Sequence, residues 1–234
     1  MSGKIKSNAN KIKTKKKTIR IIKIALLIIM LLLLVAYIVI SVVYNSGSFS
    51  ISLDKNLYLK SNILIYDDSN YKVFRTDLYA KTIDEFDNIS YKWLPKTLDD
   101  SDGGSHNGDN YIAYTFYIEN LGEQDADYWS ELVITDSVKN VDKAVRVKVY
   151  KNGIETTYAK IGSDDNPEKG TIPFESDDLI MHEHVENFTP GSKDKYTIVI
   201  WLEGSDPDCT DNILGGEIKI QMNFNSEFIN RQGE

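Results

Sequence analysis

An uninterrupted apolar run covers residues 24–44, IALLIIMLLLLVAYIVISVVY, and contains no charged residue. With a rise of about 1.5 Å per residue, a helix of this length extends roughly 31 Å, which matches the hydrocarbon core of a bilayer. The run is longer than the apolar core of most secretory signals, and the stretch Ser41–Ser48 lacks an Ala-x-Ala-like cleavage site. The pattern therefore predicts a transmembrane helix at 24–44 that is retained as an anchor, with a cleaved signal as the alternative.

After this run the pattern changes to alternating apolar and polar residues, which is typical of strands with one buried face. A polar linker at 45–48 leads into the first alternating segment, Phe49–Leu53. Clear or weaker alternation recurs at Ile63–Tyr66, Lys72–Thr76, Ile112–Ile118, Tyr128–Thr135, Val145–Val149, Glu155–Lys160, Tyr196–Leu202 and Ile218–Phe224. These short strands predict an all-β fold, an antiparallel two-sheet sandwich of the jelly-roll or immunoglobulin-like type.

Two local motifs refine this prediction. Asn152-Gly153 lies between two strand segments and favours the positive φ angles of a tight hairpin turn. Thr82–Glu85 has the form of a capping box, and apolar residues recur at helical spacing from there to Trp93, before Pro95. The second motif predicts one short helix at 82–93.

The charge distribution predicts an orientation. Nine of the 27 basic residues precede or border the apolar run, whereas the first acidic residue is Asp54. The remaining 18 basic residues face 35 acidic ones, so the rest of the chain carries an excess of 17 negative charges. Basic residues beside a span stay in the cytoplasm, where anionic lipid attracts them. The nine residues are Lys4, Lys6, Lys11, Lys13, Lys15, Lys16, Lys17, Arg20 and Lys23.

The predicted organisation is therefore a basic cytoplasmic arm at 1–23, a transmembrane helix at 24–44, a linker at 45–48 and an extracellular domain at 49–234. The expected location is the cell membrane, crossed once. Membrane lipid is the expected partner of the span and of the basic arm. A domain this acidic repels nucleic acid, so we expect no nucleic-acid partner.

The chain has a single cysteine, Cys209, so an internal disulfide is excluded. No histidine lies near it in the sequence, and its acidic surroundings raise rather than lower the pKa of a thiol. We expect a buried structural cysteine in a domain that is stabilised by its core.

Two Asp-rich loops, at 99–110 and 205–212, carry oxygen ligands of the kind that Ca²⁺ binds. The first loop lacks the Glu at position twelve of an EF-hand, so an ordinary solvated loop is the alternative. The candidate calcium ligands are Asp100, Asp102, Asp109, Asp206 and Asp208.

A second candidate metal site uses the histidines. On a strand, His182 and His184 share one face, and a transition metal would need a third ligand such as His106. The zinc-protease pattern His-Glu-x-x-His is absent, because position 186 is Glu186. The alternative is a surface strand with two exposed histidines.

No nucleophile elbow, phosphate-binding loop or dinucleotide fingerprint is present in the sequence. We therefore expect a protein that is not an enzyme and that binds no cofactor, calcium excepted.

Three segments carry a family resemblance: SHNGDNYIAYTFYIEN from Ser105, NVDKAVRVKVYKNG from Asn140 and KYTIVIWLEGSDPDCTDNILGGEIKIQMNF from Lys195. Together they resemble a group of Firmicute surface proteins related to the TasA and camelysin-like proteins of biofilm matrices. The resemblance implies a jelly-roll β-sandwich and self-association by donation of an amino-terminal strand. In this chain that strand is Phe49–Leu53, with Phe49, Ile51 and Leu53 on its apolar face. Camelysin-like proteins are described as metalloproteases, but their zinc motif has no counterpart here.

These observations predict a membrane-anchored cell-surface protein with a structural or binding role in the cell envelope or biofilm matrix. One alternative is a metal-dependent hydrolase that uses the three histidines. Another is a calcium-dependent adhesion module that uses the two acidic loops. A strand at 49–53 that belongs to the chain's own sheet is the alternative to strand donation.

Overall fold

The computed structural model describes residues 18–38, 48–83, 85, 87–163 and 165–226. The chain divides into two compact units between Ser46 and Gly47. In the first unit, α1 (Thr18–Ile38) is long and apolar enough to cross a membrane, and it is the one such helix among the described residues. All of its residues are exposed.

The helix α1 begins before the predicted start of the span. It includes Arg20 and Lys23, because arginine and lysine are good helix formers. Residues 39–44 of the predicted span, the linker at 45–47 and the basic arm at 1–17 lie outside the described residues.

The second unit is mostly β. Its one α-helix among the described residues is α2 (Lys55–Ser61). Its strands are β1 (Phe49–Leu53), β2 (Ile63–Tyr66), β3 (Asp77–Tyr79), β4 (Gly104–Ser105), β5 (Ile112–Asn120), β6 (Ala126–Ser137), β7 (Val145–Lys151), β8 (Ile154–Ala159), β9 (Ile172–Pro173), β10 (Leu179–Phe188), β11 (Lys193–Leu202) and β12 (Ile218–Asn225). Short 3-10 turns lie at Tyr91–Trp93, Leu98–Asp100, Val141–Lys143 and Asp211–Ile213.

These strands form two mixed sheets. The first sheet has the order β10-β6-β12-β1-β3, and the second has the order β2-β5-β11-β7-β8-β9, with β4 also paired to β5. The predicted antiparallel arrangement holds for most strand pairs, but β1 pairs with β12 and β8 pairs with β9 in parallel. Alternation in the sequence shows which face of a strand is buried, but it does not show whether the neighbouring strand runs parallel or antiparallel to it.

The inner faces of both sheets contribute to one hydrophobic cluster. Phe224 of β12 is fully buried, and its ring centroid lies 5.8 Å from Phe116, 5.6 Å from Tyr196 and 5.8 Å from Tyr128. The first two rings belong to the second sheet and the third to the first sheet. These edge-to-face contacts add about 0.5–1.5 kcal/mol per pair to the effect of burial.

The outer face of the second sheet is covered by a second apolar cluster. Ile89 and Leu98 from the segment before β4 pack there against Val199 and Trp201 of β11. Consequently every residue of β5 is buried, on both faces of the strand. In contrast, β12 alternates strictly between buried and half-buried residues.

Most predicted strands are present. The pattern at 49–53 is β1 and that at 63–66 is β2, while the patterns at 112, 128, 145, 155, 196 and 218 mark β5, β6, β7, β8, β11 and β12. The strand predicted at Lys72–Thr76 is absent, since this segment makes only an isolated bridge from Arg75 to Ile65.

The prediction of a helix at 82–93 was also wrong. Among the described residues of this segment only Tyr91–Trp93 is helical, as a 3-10 turn. Ile89 forms a bridge with Glu203, and its backbone N donates to the oxygen of Leu202 at 2.9 Å, so pairing to the end of β11 replaces helical bonds. Asp84 and Phe86 of the predicted helix lie outside the described residues.

The helix that does form is α2. Asp54 caps it, because its Oδ1 accepts a hydrogen bond from the backbone N of Asn56 at 3.0 Å. Asn62 ends it in the left-handed conformation, with φ 51°. This helix connects β1 to β2 and has only seven residues. A helix of about two turns is too short to give a clear helical period in the sequence.

The predicted hairpin turn is confirmed. Asn152 and Gly153 have φ angles of 52° and 83° and connect β7 to its antiparallel neighbour β8. Both angles are positive, as a type I′ turn requires.

Candidate binding cleft

A cleft of about 320 Å³ lies between β10 of the first sheet and the β7–β8 hairpin of the second. Its volume is within the range of small-ligand pockets. The lining residues are Val149, Lys151, Ile154, Thr156, Tyr158, Met181, His182, Glu183 and Tyr196. The cleft therefore combines an apolar wall with a small set of polar groups.

The cleft is open because two strand edges face it. β10 is the outermost strand of the first sheet. On the second sheet, β9 pairs only with Tyr158 and Ala159 of β8, so the rest of β8 has no further strand beside it among the described residues. Unpaired strand edges of this kind offer backbone donors and acceptors to a ligand.

An ion pair crosses the cleft. The Nζ of Lys151 in β7 lies 2.7 Å from the Oε2 of Glu183 in β10, and 4.0 Å from the Oδ2 of Asp194. The same ammonium lies 5.7 Å from the centroid of the Tyr196 ring. A ligand bound in this cleft would therefore contact a positive charge, a negative charge and the aromatic ring of Tyr196.

A hydrogen-bond network adjoins two of the lining residues, because the hydroxyl of Tyr128 lies 3.3 Å from that of Tyr196 and Asp194 lies 4.0 Å from the Nζ of Lys151. The hydroxyl of Tyr128 donates to Asp194 at 2.6 Å, and the Nδ2 of Asn152 donates to the other oxygen of Asp194 at 2.7 Å. Burial, followed by the charge of Asp194 and the neighbouring Tyr196, raises the pKa of Tyr128 well above its usual range. Burial likewise raises the pKa of Tyr196 and of Tyr158. These phenols stay protonated at neutral pH, and the hydroxyl of Tyr128 donates its hydrogen to Asp194.

The histidine pair lies beside this cleft. The ring of Trp129 in β6 stacks on His184 with centroids 4.2 Å apart, and lies 5.7 Å from the ring of His182. The Nδ1 of His182 is 2.5 Å from Glu175, which also accepts from the backbone N of His182 at 3.1 Å. The two histidines thus share one face of the strand and pack on an aromatic ring.

His106 is held elsewhere. Its Nδ1 and Nε2 are each 3.1 Å from a backbone oxygen, those of Gly104 and Leu98. Among the residues that the structure describes, no group of three or more His, Cys, Asp or Glu side chains is arranged to hold a metal ion. The structure therefore does not bring His106, His182 and His184 together as the hydrolase alternative requires.

The candidate calcium ligands are also dispersed. The side chains of Asp206 and Asp208 bind partners within the protein: Asp206 forms a buried ion pair with Arg146, and Asp208 accepts from the backbone N of Ser163 at 2.9 Å. In the other loop, Asp100, Asp102 and Asp109 are exposed. Calcium binding stays a prediction, and thermal midpoints measured with calcium and with a chelator test it.

Cys209 is free and half-buried. Burial, together with the charges of Asp206 and Glu203, raises the pKa of its thiol. The raised pKa agrees with the expectation of an unreactive thiol, whereas the side chain is half-buried and not buried as predicted.

The sequence pattern did not predict the residues of the Lys151–Glu183 ion pair or of the hydrogen-bond network beside it. One signal was present, since Glu183 lies between Met181 and Val185 on the face of β10 that packs on the core. A charged residue on an apolar face needs a partner. The sequence does not show that this partner is Lys151, because the contact joins two sheets.

No protein-family model matches the chain, and the comparison with curated proteins found no match. A solved β-glucosidase from Kluyveromyces marxianus in complex with glucose aligns with 71% of this chain and 15% of its own, with a TM-score of 0.23 and 13% identity. A GH31 α-xylosidase from Xanthomonas citri aligns with 70% of this chain and 16% of its own, with a TM-score of 0.22 and 9% identity. This chain thus spans less than a fifth of either enzyme. A structural similarity with a TM-score this low gives no information about activity.

Proposed function

We propose that this protein is a single-pass membrane protein that displays a β-sandwich of the jelly-roll or immunoglobulin-like type outside the cell and acts there by binding. The observation that carries the proposal is α1, an exposed apolar helix of 21 residues that follows a strongly basic arm. An apolar surface of this size is stable only in a membrane or against a partner.

The charge asymmetry supports an amino terminus inside the cell. Nine basic residues lie at or before Lys23, and the acidic excess of 17 lies entirely after the apolar run. Transfer of the basic arm across the bilayer is unfavourable, whereas the acidic domain carries no such barrier. The domain is then presented to the cell envelope or to the biofilm matrix.

The cleft supports binding in preference to catalysis. Its polar groups are the Lys151–Glu183 ion pair and tyrosines whose raised pKa keeps them protonated. Such groups orient a ligand by charge and hydrogen bonds. A structural or adhesive role in the envelope fits this chemistry.

Cysteine labelling on intact cells tests the orientation. In a Cys209→Ser background, we expect Lys169→Cys, at an exposed position of the domain, to react with a membrane-impermeant maleimide. The matched variant Thr14→Cys, in the basic arm, should react only after lysis. Labelling of position 14 but not 169 on intact cells would contradict the proposal, and the intact mass of the labelled chain shows whether the anchor is retained.

Strand exchange is a further mode of action that the family resemblance predicts. In the structure β1 pairs with β12 and β3 of its own chain, and Phe49, Ile51 and Leu53 are buried. A donated β1 would fill the same place in a neighbour. Light scattering over a range of protein concentrations tests this mode, with Ile51→Asp as the variant that should abolish any concentration-dependent assembly.

A further inference from the structure

A ten-residue segment, Ile89–Leu98, exposes two aromatic rings. Its sequence ISYKWLPKTL includes Trp93 and Tyr91, whose side chains are 74% and 57% exposed. By contrast, Trp201 in the second apolar cluster is 1% exposed. Tryptophan and tyrosine are enriched at binding interfaces and in the interface belts of membranes, where one end of the ring is apolar and the other reaches water.

The backbone that carries these rings is firmly held. The backbone N of Tyr91 donates to the Oε2 of Glu203 at 2.8 Å, and the N of Trp93 donates to the oxygen of Ser90 at 2.9 Å. Glu203 is buried and accepts at the same oxygen from the Nε1 of Trp201 at 3.0 Å. The rings are therefore presented by a fixed turn, which lowers the entropy lost on binding.

This turn lies at the end of the two sheets where β1 begins, which we call the leading end. The ring of Phe49, the first residue of β1, lies 6.2 Å from that of Tyr114, close to the start of β5. β5 and β11 are antiparallel, so the start of β5 lies beside the end of β11. Ile89 bonds to Leu202, the last residue of β11, and this bond places the turn at the leading end.

In the sequence, ten residues separate Ile38 of α1 from Phe49, where β1 begins at the leading end. The turn also differs in charge from the rest of the domain. Its ten residues include Lys92 and Lys96, both exposed, and no acidic residue. Tryptophan, tyrosine and lysine are the side chains that favour the headgroup region of a bilayer.

We propose that the turn Tyr91–Trp93 docks on the membrane that carries the anchor, with Trp93 and Tyr91 among the lipid headgroups and Lys92 and Lys96 on anionic phosphates. This inference rests on the proposed membrane anchoring. The Asn152-Gly153 turn beside the cleft lies at the opposite end of the sheets.

Fluorescence quenching tests the docking. The full chain is placed in nanodiscs of phosphatidylcholine with an anionic phospholipid, with or without bromine atoms near the headgroup end of the acyl chains. We expect the brominated lipid to quench the share of tryptophan emission that Trp93 contributes. Trp93→Phe should lose this quenching, whereas Trp129→Phe, which changes a ring at the opposite end, should keep it.

The lysines are tested with Lys92→Glu/Lys96→Glu in the same nanodiscs. We expect this variant to lose most of the quenching in anionic nanodiscs, because reversed charges repel the phosphates. Quenching that is equal in the wild type and Trp93→Phe overturns the docking, and full quenching in the charge-reversed variant overturns the role of the lysines.

Alkaline extraction separates this inference from the proposed function. A chain that is released from native membranes by alkaline carbonate contradicts the anchor itself. A chain that stays embedded, but whose Trp93 is not quenched, contradicts only the docking of the turn.

Discussion

At the scale of the residue, several of the buried charges among the described residues are held by more than one partner. Arg146 is 4% exposed and pairs with Asp206, whose side chain is fully buried, and with Glu168 at 3.2 Å. Asp142 accepts from Lys160 at 2.9 Å and from Ser137. Burial of an unpaired charge costs free energy. Removal of one partner therefore leaves the other buried without compensation and destabilises the folded state.

We expect Arg146→Ala to lower the free energy of unfolding by about 3–5 kcal/mol, because it leaves the carboxylate of Asp206 buried without its cation. Denaturant unfolding of the detergent-solubilised chain measures the loss. Lys148→Ala is the matched control, since Lys148 pairs with the exposed Glu155 and its loss should cost at most about 1 kcal/mol. Equal losses for the two variants would contradict the argument.

Glu203 gives a prediction about pH. Burial opposes its ionised form, but hydrogen bonds from Ser205, Trp201 and the backbone of Tyr91 prevail and lower its pKa below the model-peptide value of 4.5. Its contribution to stability is therefore complete above the unfolded pKa and is lost as the pH falls through the lower folded value.

We expect Glu203→Gln to lower the unfolding free energy at pH 7 by about 1–3 kcal/mol, and the difference from wild type to shrink below pH 4 or so. Thermal melts between pH 3 and pH 7 measure it. A difference that stays constant over this range would show that the charge of Glu203 is irrelevant. Glu155→Gln, at an exposed position, is the control.

At the scale of the element, the sequence predicted strands better than helices. The strict alternation of β12 and the Asn152-Gly153 turn are both local, so they are readable without knowledge of the fold. In contrast, the capping box at Thr82–Glu85 has the local features of a helix, and yet Ile89 pairs with the end of β11 instead. A bond to a distant strand overrides a weak local preference.

The cap of α2 gives a prediction at this scale. Burial opposes the ionised form of Asp54, but hydrogen bonds from Asn56 and Ser226 outweigh it and lower the pKa of this carboxyl. We expect Asp54→Ala to cost about 0.5–2 kcal/mol of unfolding free energy, and this cost to vanish in acid as the wild-type carboxyl is protonated. The control is Lys55→Ala at the neighbouring exposed position. Chemical denaturation at pH 7 and pH 3 compares the two variants, and an equal cost at both pH values would contradict the cap.

At the scale of the whole molecule, the two sheets depend on contacts that no local pattern shows. Phe224 joins rings of both sheets, and Lys151 meets Glu183 across the cleft. The sequence predicted Phe224 as an inward-facing residue, but neither its ring partners nor the cleft. Both follow from strand order, and the parallel pairing of β1 with β12 is part of that order.

We expect Phe224→Ala to lower the free energy of unfolding by about 3–5 kcal/mol, because it leaves a cavity between the two sheets. Phe74→Ala is the control, since this ring is partly exposed and contacts Tyr66 outside the main cluster. Denaturant unfolding followed by near-ultraviolet circular dichroism should show the larger loss for Phe224. A similar midpoint for both variants would contradict the central place of this ring.

The parallel pairing of β1 and β12 has a mechanical consequence. The register runs from Phe49 beside Ile220 to Leu53 beside Phe224, so the chain enters β1 at the leading end and leaves β12 at the other. Tension between a membrane anchor and a load held beyond β12 would pull the two strands in opposite directions along their length. The backbone hydrogen bonds between them would then be loaded in shear, all at the same time, and would not open one after another like a zipper. Under the proposed anchoring, this arrangement of β1 and β12 resists force that is applied between the membrane and the end of β12.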